Sequence, residues 1–257
     1  MSLARNLALA ALVLAFGLFA PGPAAAQKSM SNAQLLLNLD TVAFGNEYTG
    51  RRYKFVRKWK SPIRAGIKGD PPAYFEDMVR QHLADLQRST GHSMRLVFSR
   101  RMQREKKLAK GFNPKSVNMF LLYFPLDKME AQLPPQFGSD KAMVMRLLKT
   151  GKTPCMAKLF KKGQEIRVSI VLFPAHHPKN YMRACVVEEL TQVLGLPNDS
   201  KDVKPSIFND KSHYFELTNH DRWLLRLLYD PSIAIGMPRA DALKAASQIL
   251  AKLRPGR

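Results

Sequence analysis

The sequence has few cysteines, few acidic residues and no long apolar run after its first 26 residues. Two cysteines in 257 residues, with no C-x-x-C pair, argue against a zinc-thiolate site and a redox-active dithiol. No stretch beyond residue 26 has the ~20 apolar residues that a membrane-spanning helix needs. A Gly-rich phosphate loop and a G-x-S-x-G elbow are also missing, which argues against P-loop enzymes and α/β-hydrolases.

The shortage of acidic residues leaves a large positive charge. Lys and Arg number 41 against 20 Asp and Glu, which gives a net charge of +21 and a pI near 10.2. Hydrophobic residues at 46% and charged residues at 24% are typical of a globular protein and exclude a disordered chain or a coiled coil. The charge indicates an anionic partner, for which nucleic acid is the first candidate.

The first 26 residues have the pattern of a secretory signal peptide. Arg5 precedes an apolar run from Leu7 to Ala20, and small residues from Ala24 to Ala26 provide a cleavage site. A retained membrane anchor is the weaker alternative, since the run is shorter than ~20 residues. We therefore expect export, most simply to a bacterial periplasm and otherwise by secretion. Export makes nucleic acid an improbable partner. If the chain were instead retained in the cytosol, nucleic acid would again be a candidate partner.

The two cysteines, Cys155 and Cys185, both follow the predicted signal peptide. An even cysteine count in an exported protein is most simply explained by a disulfide. We predict a Cys155–Cys185 bridge.

Hydrophobic periodicity predicts an α+β protein in which a twisted mixed sheet packs against helices. Ile63, Ala65 and Ile67 alternate as in a half-buried strand, and Asp70 and Pro71 begin a helix that ends at Gly91. The remaining predicted elements are strands at 94–98 and 117–124, a hairpin at 156–173, and helices at 126–133, 142–148, 180–194, from 218 to 230 and from Pro238 onward. We divide the chain into a signal peptide (1–26), an N-terminal leader (27–50), one domain (51–236) and a C-terminal helix (237–257).

The helix at 180–194 carries the most informative motif, E-E-L-T-Q-V-L-G-L-P-N-D, from Glu188 to Asp199. This string resembles the metzincin signature H-E-x-x-H-x-x-G-x-x-H/D with both helical histidines replaced. Further motifs, from about Arg57 to Gly236, resemble the bacterial domain-of-unknown-function family 2927. They are Cys185 before the acidic pair, P-N-D-S at 197–200, S-I-F-N-D at 206–210, L-Y-D-P at 228–231 and G-M at 236–237. The resemblance implies a zincin-like single domain with C-terminal helices, but it implies no activity.

The replaced positions decide what chemistry the resemblance allows. Glu188, Gln192 and either Asn198 or Asp199 stand where metzincins place zinc ligands, whereas Glu189 keeps the residue type of the general base. A catalytic zinc site usually takes two imidazoles one helical turn apart, and a carboxamide is a poor substitute. We therefore expect no zinc, no other cofactor and no hydrolysis. Three alternatives stay open: a hydrolase that uses Glu189 with an oxygen-rich metal site, a cleft whose acidic pair receives a cation, and a merely solvated helix face.

A basic segment between residues 51 and 60 is the second candidate functional feature. Its six cations alternate with the aromatic residues Tyr53, Phe55 and Trp59; they are Arg51, Arg52, Lys54, Arg57, Lys58 and Lys60. In an exported protein these cations would contact anionic envelope material, although a solvated face is an alternative. The sequence thus predicts a non-catalytic protein of the cell envelope, a pseudo-metallopeptidase that binds a polypeptide or an anionic envelope component.

Overall fold

The computed structural model describes residues 30–46, 50–209, 211 and 214–256. The predicted signal peptide, residues 1–26, lies outside the described residues, so export remains a prediction from the sequence. Within the described residues, no helix is both long enough and apolar enough to cross a bilayer.

A six-stranded mixed sheet forms the centre of the fold. Its strands are β1 (Lys58–Trp59), β2 (Ile63–Gly69), β3 (Met94–Phe98), β4 (Met119–Phe124), β5 (Met156–Lys162) and β6 (Glu165–Pro174). The order β3-β2-β4-β6 is parallel throughout, and β1 runs parallel to the start of β6. β5 is antiparallel to β6. Because Ile170 of β6 pairs with Phe120 of β4 and Lys158 of β5, those two strands lie on opposite sides of β6.

Helices cover the two faces of the sheet unequally. They are α1 (Asn32–Phe44), α2 (Ala73–Thr90), α3 (Arg100–Arg104), α4 (Leu126–Gln132), α5 (Asp140–Lys149), α6 (Lys179–Gln192), α7 (Asn219–Leu228) and α8 (Arg239–Leu253). Ile63, Ala65 and Ile67 of β2 face the large core that α2, α6 and α7 complete, and we call this the inner face. On the outer face, α4 and α5 cover a smaller core that includes Leu122, Ile170 and Leu172.

The predicted mixed sheet, helices and disulfide are confirmed. Cys155 and Cys185 are bonded, with Cα atoms 5.9 Å apart. A capping box begins α7, since the Thr218 and Asp221 side chains each accept a hydrogen bond from the other residue's backbone N–H. The second helix differs slightly: it begins at Ala73 after Pro72, and Asp70 instead accepts a hydrogen bond from Arg104.

The segment predicted to be a leader forms part of the folded unit. It contains α1, whose Leu35, Leu39 and Val42 are buried in the large core. α1 packs against α8, the helix assigned to a separate C-terminal segment. The sequence did not indicate this because the apolar positions of α1 bury against a partner about 200 residues away in the chain.

Candidate functional site

One side of α6 forms a wall of an open cleft of about 460 Å³. Helical spacing places Tyr181, Cys185, Glu188 and Gln192 along this wall, three or four residues apart. The acidic pair of the sequence motif therefore faces a cavity and not bulk solvent.

Two other segments complete the cleft. Residues 151–155, which lead into β5, form the opposite wall, and Asp199, Ile207, Asn209 and Tyr214 close the end beyond α6. The disulfide joins the two walls, since Cys155 immediately precedes β5 and Cys185 lies in α6. This covalent link fixes the distance between the wall that carries Glu188 and the edge of the sheet.

The structure brings together four of the five predicted cleft residues. Glu188, Glu189, Gln192 and Asp199 all line the cleft. Glu189 is only 6% exposed and Gln192 8%. The Gln192 amide nitrogen donates a hydrogen bond to Asp199 Oδ1 over 3.0 Å, which fixes the carboxamide at the end of the helix.

Asn198, the fifth predicted residue, lies outside the cleft. Its amide nitrogen donates to the Thr41 carbonyl oxygen over 3.1 Å, and its side chain packs against Gly45 at the end of α1. Of the two residues that the motif offered at this position, only Asp199 faces the cavity.

Side chains from distant parts of the chain hold the C-terminal end of α6. Trp59 Nε1 donates to the Val193 carbonyl over 2.8 Å, and the Tyr229 hydroxyl donates to the Leu194 carbonyl over 2.9 Å. Burial raises the pKa of Tyr229, so the hydroxyl keeps the proton that it donates. Carbonyls at a helix end have no partner within the helix, so these two bonds fix the direction in which the chain leaves α6.

A buried carboxylate positions the turn at the closed end of the cleft. Asp221 of α7 is fully buried and accepts hydrogen bonds from Ser206 Oγ over 2.5 Å and from the Ile207 backbone N–H over 3.3 Å. Asp221 also belongs to the capping box of α7. The same carboxylate also fixes Ile207, which lines the cleft.

Two cleft residues that the sequence reasoning missed are aromatic. Tyr181 is 50% exposed and Tyr214 is 43% exposed, and both line the cavity. Tyr181 precedes Glu188 by seven residues, so helical periodicity alone would have placed it on the same wall. Tyr214 follows the motif in an irregular segment, where no periodicity identifies it.

The basic segment at 51–60 does not form one exposed patch, because two of its six cations are buried. Arg57 and Lys58 are only 5% and 8% exposed. The Arg57 guanidinium lies 3.0 Å from the centre of the Tyr53 ring, and Lys58 Nζ donates to the Leu228 carbonyl over 2.8 Å. Burial lowers the pKa of Lys58 to about 8, although Asp230 opposes this effect.

The other four cations of that segment, Arg51, Arg52, Lys54 and Lys60, are exposed. Arg52 forms an ion pair with Asp40 over 2.6 Å. The alternation of cations and aromatic residues therefore reflects the entry of the chain into β1 and the core, which buries Val56 and Trp59 together with Arg57 and Lys58.

The donor set of the cleft does not fit a hydrolytic zinc site. The helical positions that would carry imidazoles hold Glu188 and Gln192, and the Gln192 amide is already bonded to Asp199. In the described part of the chain, no group of three or more His, Cys, Asp or Glu side chains is placed to hold a metal ion.

A comparison with known families gives one match. The family model described as "Protein of unknown function (DUF2927)" matches residues 32–248, from the first residue of α1 to the middle of α8. No curated protein and no solved structure matches the chain.

Proposed function

This chain belongs to the family described as Protein of unknown function (DUF2927), and we propose that its cleft binds a cationic segment of an extracytoplasmic polypeptide without hydrolysing it. The observation that carries the proposal is the position of Glu188 and Glu189 inside a cleft that adjoins the edge of a β-sheet. The extracytoplasmic location rests on the signal-peptide pattern of residues 1–26.

The sheet edge supports an extended polypeptide as the ligand. Among the described residues, β5 pairs only with β6, so its other edge has no backbone partner. An exposed strand edge can accept an extended peptide as an additional strand through main-chain hydrogen bonds. Because residues 151–155 lead into β5 and also line the cleft, a peptide along that edge would pass the mouth of the cavity.

The cleft chemistry supports a cationic side chain on that peptide. Glu188 and Glu189 supply carboxylates, and Asp199 adds a third acidic residue at the end of the cavity. The half-exposed rings of Tyr181 and Tyr214 are suited to the methylene groups and the charge of a Lys or Arg side chain. A charge-assisted hydrogen bond to a buried carboxylate is stronger than a neutral one, so affinity should depend on the ligand's charge.

Three features support binding without hydrolysis. The Gln192 amide is committed to Asp199, the helix presents no imidazole at Glu188 or Gln192, and the disulfide ties the two walls together. The order of strand, long helix, strands and a helix followed by Gly195 also supports a zincin-like ancestry, with the cleft kept and the metal ligands replaced.

Peptide binding to paired variants tests the proposal. Short extended peptides with one central Lys or Arg are titrated against the intact protein and against the double variant Glu188→Gln/Glu189→Gln, which keeps the shape of both side chains. We expect roughly a tenfold or greater loss of affinity, because charged hydrogen bonds contribute ~1.5 to 3 kcal/mol. The control is Asp127→Asn/Glu130→Gln, which removes two exposed carboxylates of α4 outside the cleft.

Equal affinity of both double variants for the peptide would refute the cleft as the binding site. Cleavage of the peptide by the intact protein that is lost in Glu189→Gln would refute the non-catalytic assignment. Metal analysis of the purified protein distinguishes the remaining alternative, since a stoichiometric transition metal would favour a hydrolase.

A further inference from the structure

The outer face of the sheet at β2 and β3 lies beyond the area that α4 and α5 cover, and it is strongly basic. α4 and α5 cover the outer face where Leu122, Ile170 and Leu172 lie, on β4 and β6. On β2 and β3 the outward side chains include Arg64, Lys68 and Arg95 instead. Lys115 precedes β4 and lies in the segment that crosses this area. Phe120 of β4 is 36% exposed and is the register partner of Gly66 of β2. We call Arg64, Lys68, Arg95, Lys115 and Phe120 the basic sheet face.

The chain itself concentrates positive charge around this face. Residues 86–126 contain nine Lys or Arg and a single acid, Glu105. Glu105 forms ion pairs with its sequence neighbours Arg101 and Lys107. Among the described residues, no acidic side chain forms an ion pair with any cation of the basic sheet face, so their charges are not neutralised within the protein.

Two arginines of the basic sheet face lie side by side. Arg64 and Arg95 are partners in the parallel register of β2 and β3, so their Cα atoms are separated by about the ~4.8 Å strand spacing. Like charges on directly opposed positions destabilise a sheet. An anion bound between the two guanidinium groups would offset that repulsion, so the pair favours an anionic partner.

Residues 112–118 cross this face and pack on it. Phe112 stacks on Phe98 with the ring planes 9° apart, and Val117 lies over Gly66, where a Cβ atom would come within 2.9 Å of the Val117 side chain. The Asn118 side chain accepts from the Arg64 backbone N–H over 2.7 Å and holds this segment on the sheet.

We propose that the basic sheet face is a docking surface for an anionic phospholipid bilayer. A face with several exposed cations and one partly exposed aromatic side chain is suited to a layer of phosphate headgroups, and each nearby Lys or Arg contributes ~1 kcal/mol to such binding. In the basic segment at 51–60, by contrast, Arg57 and Lys58 are buried and Arg52 is paired with Asp40.

Docking on this face leaves the cleft accessible. The basic sheet face lies at the β3 end of the sheet, and the cleft adjoins β5 at the other end. Four strand spacings separate β3 from β5, or roughly 19 Å at ~4.8 Å each. α6, which carries Glu188, packs on the inner face, opposite the basic sheet face. The surface proposal is therefore independent of the proposed function of the cleft.

Vesicle co-sedimentation with charge-matched variants tests the proposal. The test variant Lys68→Gln/Arg95→Gln/Lys115→Gln and the control Arg51→Gln/Lys54→Gln/Lys60→Gln each remove three exposed cations. Binding is measured to vesicles of phosphatidylcholine alone and of phosphatidylcholine mixed with phosphatidylglycerol. We expect the unmodified protein to bind only the mixed vesicles, less strongly as salt is raised. The test variant should bind them on the order of 100-fold more weakly, about fivefold for each cation, and the control should be nearly unchanged.

Three outcomes would overturn the proposal. Equal losses in both variants would mean that net charge, and not this face, governs binding. No binding to the mixed vesicles would remove the bilayer as a partner. Binding of a single-stranded oligonucleotide that is lost in the test variant, while vesicle binding stays unchanged, would assign the face to nucleic acid. Circular dichroism of the test variant establishes that its fold is intact, which is expected because all three side chains are exposed.

Discussion

Gly195 lies directly against the backbone of Arg57, and a Cβ atom at Gly195 would come 2.1 Å from the Arg57 carbonyl oxygen. Gly195 also has a φ of +113°, which side-chain-bearing residues rarely adopt. This contact joins the end of the cleft helix to the residue before β1. The glycine that follows the helix in the sequence motif thus has a packing cause in this fold.

Gly195→Ala is predicted to lower the free energy of unfolding by about 3 kcal/mol or more, because both the backbone angle and the clash oppose a side chain. Gly163→Ala is the control: Gly163 also has a positive φ, +62°, but no atom lies within 4 Å of the added Cβ. The control should lose only about 1 kcal/mol. Urea unfolding of the two variants measures both values, and equal losses would show that the contact with Arg57 does not matter.

The disulfide is predicted to contribute strongly to stability. The bridge closes a loop between residues 30 positions apart, for which loop closure gives roughly 3 to 4 kcal/mol. The double variant Cys155→Ala/Cys185→Ala should therefore unfold at a much lower urea concentration than the oxidised protein. Thiol titration of unfolded, unreduced protein should detect no free thiol, and two titratable thiols would contradict the bridge.

His82 is predicted to make the protein less stable in mild acid. Its ring lies buried between α2 and α6, with Nε2 3.0 Å from Thr191 Oγ1. Burial lowers the pKa of His82 to about 4 from an ordinary 6.5. The charge of Arg222 also lowers this pKa, whereas Asp85 and a backbone hydrogen bond raise it. Below pH 6.5 His82 therefore binds a proton in the unfolded chain but not in the folded protein. The free energy of unfolding falls as the pH is lowered from about 6.5 to 4.

The pH dependence of unfolding measures this effect. The full shift corresponds to at most about 3 kcal/mol, and His82→Gln should flatten the stability profile between pH 7 and pH 5. His176→Gln, which changes an exposed histidine, should leave the profile unchanged. The assignment fails if both variants keep the slope of the unmodified protein.

The sequence predicted much of the secondary structure because the patterns that define it are local. The alternation in β2 and the helix that carries Glu188 can both be read from a few neighbouring residues. Burial that depends on distant partners could not be predicted in this way. α1 buries against α8, and Arg57 and Lys58 enter the core beside Tyr53 and Leu228, so the charge of a segment did not reveal its exposure.

The candidate site was predicted to a similar extent. Helical spacing placed Glu188, Glu189 and Gln192 together, and the motif continued to Asp199. The motif could not decide between Asn198 and Asp199, because that choice depends on a hydrogen bond from Asn198 to Thr41 in a distant helix. Tyr214 and the wall at 151–155 reach the cleft only through the tertiary fold.

The role of charge in the cleft is measured by comparing its affinity for a peptide with one central lysine and for the same peptide with acetyl-lysine. Acetylation removes the charge that Glu188 and Glu189 are proposed to bind and leaves the backbone unchanged. We expect at least tenfold weaker binding of the acetylated peptide, with both peptides recovered uncleaved by mass spectrometry. Equal affinities, or hydrolysis of the lysine peptide, would contradict the proposed function.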